Sequence, residues 1–455
     1  MSYIVFTHRR TSILMGILAL VLAGYSASPA AQPKLFQHHS LPHDATSHWP
    51  TVGPDWSTQT LALHLENTVF VSDPEMLIKA LKDVLPGQHI VLRNGTYPIR
   101  GKRLRTTKLS PTALQPITLR ALEPGKATIE LDSSEGLYIN RPHWRISGLR
   151  FIGKCKHQSR CEHAIHVVGN AGNTLIEHNE FIDFNAAIKV NRDKDAFPDH
   201  GIIRHNHFFF TAPRDVAKPV TPINVDHGNN WLISRNIIRD FIKLGGNQVS
   251  YGAFIKGGSV KGAIENNLVI CNSTQQDFTG SRIGLSLGGG GMAQQHRRGE
   301  SEAETVEALI RNNIVIRCND AGIYINRGKH SAVSNNILYG TQGIDIRYPQ
   351  SDTYVANNIL NGNITQRDRG KADSKANLVS SRRFWFGEEA IDSWFLSPGD
   401  GNFTVTSEQT RKQLHSHAVP YQLLPGHENK DFCGNRISSN SRFRGSFMKA
   451  TACFR

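Results

Sequence analysis

The chain reads as all-β, a single-stranded parallel β-helix, on three observations. One phrase recurs seven times: a short apolar alternation, a polar turn, an apolar pair, then Asn and a further apolar strand. Its endings are IEHNEFI, IRHNHFF, ISRNIIR, IENNLVI, IRNNIVI, VSNNILY and VANNIL. The shared asparagines, Asn179, Asn206, Asn236, Asn267, Asn313, Asn336 and Asn358, stand 27, 30, 31, 46, 23 and 22 residues apart. A coil of about 22 residues with insertions of varying length fits those steps, as a solenoid tolerates. The strands are short and rich in Ile and Val, and no helical period separates them. Stacked coils let identical Asn amides bond one to the next, so these asparagines are assigned to structure and not to chemistry.

The elements follow in chain order. THRR, an apolar run from Ile13 to Ala23 and the small residues Ser26 to Ala30 have the layout of a secretory leader, expected over 1–30. An extension over 31–65 follows, in which His38, His39, His43 and His48 read as polar residues and not as metal ligands. VSDPEMLIKALKDVLPG predicts an amphipathic helix with Ser72 or Asp73 as N-cap, Pro74 in the first turn and Pro86-Gly87 as the stop. It is expected to plug one open end of the solenoid, where strand edges would otherwise recruit other chains. The β-helix is expected over 66–370. From 371 to 455 the period is lost, and RRFWF with the Cys433 to Cys453 bracket predicts the opposite cap.

With 455 residues, 39% of them apolar, the chain can bury a sizeable core, and nothing beyond Ala30 approaches the length of a membrane span. Export and six cysteines predict disulfides over metal thiolates: Cys155 with Cys161 and Cys433 with Cys453 are each close enough to close locally. Lys and Arg exceed Asp and Glu by 52 − 38 = 14, which favours a polyanionic partner. The basic residues are spread along the chain, not clustered with aromatics, and export argues against nucleic acid. An acidic polysaccharide is the expected partner, met by a periplasmic or secreted monomer.

PGQHIVLRNGTYPI, QPITLRALEPGKATIE and HWRISGLRFIG resemble the opening coils of the right-handed parallel β-helix polysaccharide lyases, above all family six, the alginate and chondroitin lyases. The resemblance covers roughly residues 66 to 365 and implies a right-handed helix and β-elimination. It also implies that Lys256, a lysine followed by small residues about ten before an N-x-h turn, is the base. Two departures stand out. The arginine that the family carries at the end of the next strand is replaced by Gly288 in LSLGGGG, and the carboxylates that bind calcium before the lysine are missing from GNQVSYGAF. No cofactor is therefore expected. Asp193, Asp195 and Asp199 lack the glycine and closing glutamate of a calcium loop and read as a turn.

Aligning AIHVV, AIKVN, PINVD, AFIKG, GLSLG, GIYIN and GIDIR puts alternate residues on one outward face. One column holds His166, Lys189, Asn224, Phe254, Ser286, Tyr324 and Asp345; the next holds Val168, Asn191, Asp226, Lys256, Gly288, Asn326 and Arg347. Arg192, His227, Gly257, Gly289, Arg327 and Tyr348 lie just past the strands. The candidate catalytic residues are Lys256, His227, Tyr324, Arg327 and Arg347, types that neutralise a uronate carboxylate and move protons. Lys189, Asn224, Asp226, Asn326 and Asp345 are candidate substrate contacts. The long insertion GGGGMAQQHRRGESEAETVEA is expected to overhang the face with His296, Arg297 and Arg298 and make a basic groove. Gly257, Gly258 and Gly288 are expected to keep the face clear for a sugar chain. Asp226, one coil from Lys256, would hold that lysine protonated unless it turned to another partner. Two rivals to a lyase are a non-catalytic glycan binder and a glycosidase. The latter needs paired carboxylates, but Asp226 and Asp345 lie about 19 Å apart over four coils.

Overall fold

The computed structural model describes residues 49, 51–57, 65–289, 291–380, 391–448 and 453. The expected leader, the four extension histidines and RRFWF lie outside these residues. Three all-parallel sheets of twelve, ten and eleven strands run side by side along the molecule. Each coil gives one strand to each sheet: Ile223–Asp226, Leu232–Ser234 and Ile237–Arg239 make one coil, and Val249–Lys256, Ala263–Glu265 and Leu268–Ile270 the next. Val225, Ile233 and Ile238 point inward together with Ile255, Ile264 and Val269, all wholly buried. Phe151, Phe181 and Phe208 stack in the core at 5.1 and 4.8 Å between ring centroids, because their strands are in register.

The asparagine column is a continuous ladder. Asn267 donates from Nδ2 to Asn313 Oδ1 at 3.0 Å and to the carbonyl of Ile233 at 2.9 Å, while its own Oδ1 accepts from Asn236. The same pattern runs from Asn179 to Asn358 and continues to Asn377. The residue before each ladder Asn turns the chain in the left-handed region, from His178 at φ 55° through Asn266 at 58° to Ala376 at 55°. Asn holds four of these eight positions (266, 312, 335 and 357), which is the turn chemistry expected of Asn-Asn pairs.

Helix Pro74–Asp83 has Asp73 as its N-cap, whose side chain accepts from the Met76 N–H. Leu77, Ala80 and Leu81 are buried in the solenoid core beside its first strands, so the helix plugs that end as expected. The far end differs from expectation. Residues Lys371–Lys375 and Leu378–Ser380 are still strands of the helix, so the period outlasts 370. The chain from Ile391 to Phe447 does not close an end but lies along the outer face of the eleven-stranded sheet. Trp394, Phe395, Phe403, Phe432 and Phe447 pack there with Ile237, Leu268, Ile314, Ile337 and Ile359. Those outward isoleucines need cover, which the tail supplies. Disulfides join Cys155 to Cys161 and Cys433 to Cys453; a third, Cys271 to Cys318, ties neighbouring coils across a 47-residue separation.

Candidate active site

The ten-stranded sheet carries the candidate residues in the register read from the sequence. His166, Lys189, Asn224, Phe254, Ser286, Tyr324 and Asp345 pair in succession, and Asp226 pairs with Lys256. Lys256 therefore faces outward, its side chain 15% exposed. The face is more enclosed than a flat sheet: Asn224, Asp226, Tyr324 and Asn326 are buried.

Lys189, Asn224, Asp226, His227 and Lys256 form one group. Lys189 Nζ donates to Asn224 Oδ1 at 2.9 Å and binds Asp226 Oδ2 in a close ion pair. Asp226 has thus turned to another partner. Its remaining oxygen, Oδ1, lies 3.7 Å from Lys256 Nζ, beyond hydrogen-bond length, and accepts no hydrogen bond among the described groups. Burial opposes the charge of Asp226, but Lys189 and then Lys256 outweigh it and hold the carboxyl below its ordinary value. Lys256 Nζ also sits over the Phe254 ring, 4.5 Å from its centroid.

His227 is a left-handed residue, φ 65°, just past its strand. Its Nε2–H donates to the carbonyl of His296 at 2.9 Å, which leaves Nδ1 with the lone pair. Burial, aided by Arg192 and Lys189, holds this ring below its ordinary pKa and hence neutral. Nδ1 is buried, which separates it from a ligand in the groove.

Tyr324, Asn326, Arg327, Arg347 and Asp345 form a second group further along. Asn326 Nδ2 donates to the Tyr324 hydroxyl at 2.8 Å, and Arg327 Nη1 donates to Asn326 Oδ1 at 3.0 Å. Burial raises the Tyr324 phenol despite nearby Arg347, so it stays protonated. Arg327 and Arg347 lie on the Tyr348 ring at 3.8 and 4.6 Å. Arg347 is paired with Asp368, and Asp345 accepts two bonds from Arg367 Nε at 2.9 and 3.0 Å. Asp226 and Asp345 each belong to a lysine or arginine, and four coils part them. They do not form the carboxylate pair of a glycosidase.

The insertion does other work than expected. Arg297 is buried, with its guanidinium held by the carbonyls of Met292, Ser301 and Glu302, so it stiffens the loop and does not reach the groove. The His296 side chain points to solvent while its carbonyl holds His227. Nor do the glycines clear a path for sugar. A Cβ on Gly258 would lie 2.7 Å from the Arg298 carbonyl oxygen, one on Gly257 3.0 Å from the His227 nitrogen, and one on Gly288 2.0 Å from the Asn326 carbonyl oxygen. All three have φ between 81° and 85°, so glycine is there for the turn and for close packing of the protein on itself.

One contributor escaped the sequence. Glu304 is wholly buried; its Oε2 accepts from the Gly257 N–H at 3.1 Å and its Oε1 lies 3.4 Å from Arg297. Burial raises its carboxyl above the ordinary range against those two partners. Arg298, expected with His296 and Arg297 to make the overhang basic, instead donates to Asp199 at 2.7 Å and to the His227 carbonyl at 3.2 Å, and latches the insertion to the strand ends. Glu304 is one of several acids in ESEAETVEA, and nothing in their order marks the buried one. No cluster of three or more His, Cys, Asp or Glu able to hold a metal occurs among the described residues.

No family model and no curated protein matches this chain. Solved structures do. The crystal structure of the pectate lyase Pel9A aligns over 89% of this chain and 100% of its own, with 17% identity and a TM-score of 0.54. The fold is a right-handed parallel β-helix. An alginate lyase from Paenibacillus sp. str. FPU-7 aligns over 69% of this chain and 95% of its own, at 17% identity and a TM-score of 0.40. A mannuronic acid specific polysaccharide family 6 lyase from human gut microbiota aligns over 69% and 66%, at 17% identity and 0.43.

Proposed function

We propose that this chain is an exported polysaccharide lyase that cleaves a uronate-containing polymer by β-elimination. The observation that carries the reading is Lys256. On a face where Lys189, Asp226, Arg347 and Asp345 are each matched within the fold, Lys256 has an Nζ with no hydrogen-bonded acceptor among the described residues. Because Lys189 takes Asp226, that carboxylate does not claim the Lys256 proton by a direct bond. Lys256, acting as the base, takes the proton from C5 of the uronate. The C–H electron pair forms the C4–C5 double bond, the C4–O bond breaks, and the leaving oxygen takes a proton from the ammonium just formed. Tyr324 and Arg347 stand about 10 Å or more along the sheet and serve neighbouring sugars, not the same bond. The charge surplus, the three disulfides and the leader-like start support export and an anionic substrate.

The test is incubation of the mature protein with a panel of uronate polymers. An unsaturated product, read by its ultraviolet absorbance, is expected from at least one and not from Lys256→Ala. Binding without product would favour the non-catalytic glycan binder, a reading that the absence of an arginine at Gly288 also suits.

A further inference from the structure

The cations bordering this face divide into two sets. Lys189, Arg298, Arg347 and Arg367 are each held by a carboxylate of the fold: Asp226, Asp199, Asp368 and Asp345 respectively. Arg192 and Arg327 form no ion pair among the described residues, and Lys256 has only the 3.7 Å approach to an aspartate already bound by Lys189. The second set is regularly placed. The register sets Arg192, His227, Gly257, Gly289 and Arg327 one after another in five successive coils, each just past its strand. Arg192 and Arg327 thus stand four coils apart in one column, and Lys256, one residue before Gly257 on the coil midway between them, is two coils from each, a backbone distance of roughly 10 Å. Arg192 bears electrostatically on the His227 ring of the next coil, and Arg327 lies flat on Tyr348 of the coil after its own.

A linked pyranose advances about as far as one coil, and in an extended chain with two-fold twist the carboxylates of alternate sugars point to the same side. Resting on the lyase reading, we propose that Arg192, Lys256 and Arg327 form a comb on which Arg192 and Arg327 engage the carboxylates of the first and fifth sugars of a homopolymeric uronate block, while Lys256 between them addresses C5 of the third. Arg192 and Arg327 are then binding residues for sugars on either side of the one that Lys256 attacks. The preferred substrate is an unbroken run of at least five uronates, not a polymer that alternates uronate with neutral sugar.

Oligouronates of two to six sugars, prepared from homopolymeric uronate blocks, test this through KM by product absorbance. KM is expected to fall about tenfold between the trisaccharide and the pentasaccharide. Arg192→Gln and Arg327→Gln should each raise KM, with the mutant-to-wild-type ratio growing with chain length. Lys82→Gln, on the capping helix, removes the same charge without a length-dependent effect. A ratio that is flat across lengths, or no change in either variant, overturns the comb while leaving the lyase reading intact. If the wild type yields no unsaturated product, the length series is read by calorimetric binding: length-dependent loss in Arg192→Gln then keeps the comb without the lyase. Absence of both product and binding removes both.

Discussion

Lys256 is separable from its neighbours by substitution. Lys256→Ala removes an outward side chain that makes no hydrogen bond among the described residues and should leave circular dichroism and melting close to wild type while abolishing product formation. Lys256→Arg puts a permanently charged guanidinium there, which cannot accept a proton near neutral pH, so it should retain polyuronate binding and lose turnover. Turnover surviving in both variants would remove Lys256 from the chemistry. A second residue-scale effect is set by buried histidines. Burial and the ring of His178, stacked at 4.8 Å, lower His205 to about 3, and burial leads in lowering His163 and His415 to about 4. Between those values and the ordinary 6.5 the unfolded chain binds protons that the folded chain refuses. Stability is thus whole above about 6.5 and declines as pH falls toward 4, by at most about 1.4 kcal/mol per unit per fully excluded proton. His205→Asn keeps the left-handed turn, as Asn266 does, and should flatten the fall of Tm between pH 6.5 and 4.5. An unchanged slope would show that His205 takes no part.

At the scale of elements, the ladder and the third disulfide hold the coil that carries the insertion. Asn267→Leu removes bonds to Asn313 Oδ1 and to the Ile233 and Glu265 carbonyls and strands the Asn236 amide, all buried. A loss of roughly 3 kcal/mol or more is expected from several unsatisfied buried groups, with groove chemistry intact in the folded fraction. Melting like the wild type would contradict a cooperative ladder. The ladder was legible because identical residues recur at one place per coil, and every predicted Asn takes its rung. The Cys271 to Cys318 bridge was not legible: the 47-residue gap says nothing about proximity until the coils are stacked, and the insertion lengthens it. The insertion itself could be counted but not aimed, because a glycine exit leaves its direction free and only Arg298, Asp199 and Glu304 fix it.

Over the whole molecule, the tail from Ile391 to Phe447 is a side layer and not a cap. Phe432 is wholly buried there, so Phe432→Ala should destabilise the protein by about 3–5 kcal/mol. Deleting the chain from 391 onward should expose the isoleucine row of the eleven-stranded sheet and yield aggregating protein that binds hydrophobic dyes. A monodisperse, stable truncation would refute the side-layer role. The sequence by itself determined the coil period, the strand register, the helix at the first end and the outward columns that include Lys256, because each follows from a local period of two or a repeat that stacking preserves. Tertiary structure alone decided which charges meet: that Lys189 rather than Lys256 takes Asp226, that Glu304 is buried, that Arg297 faces its own loop, and that the tail runs along a sheet. Those outcomes depend on side-chain reach and loop direction between coils that lie far apart in the chain, where no periodicity carries information.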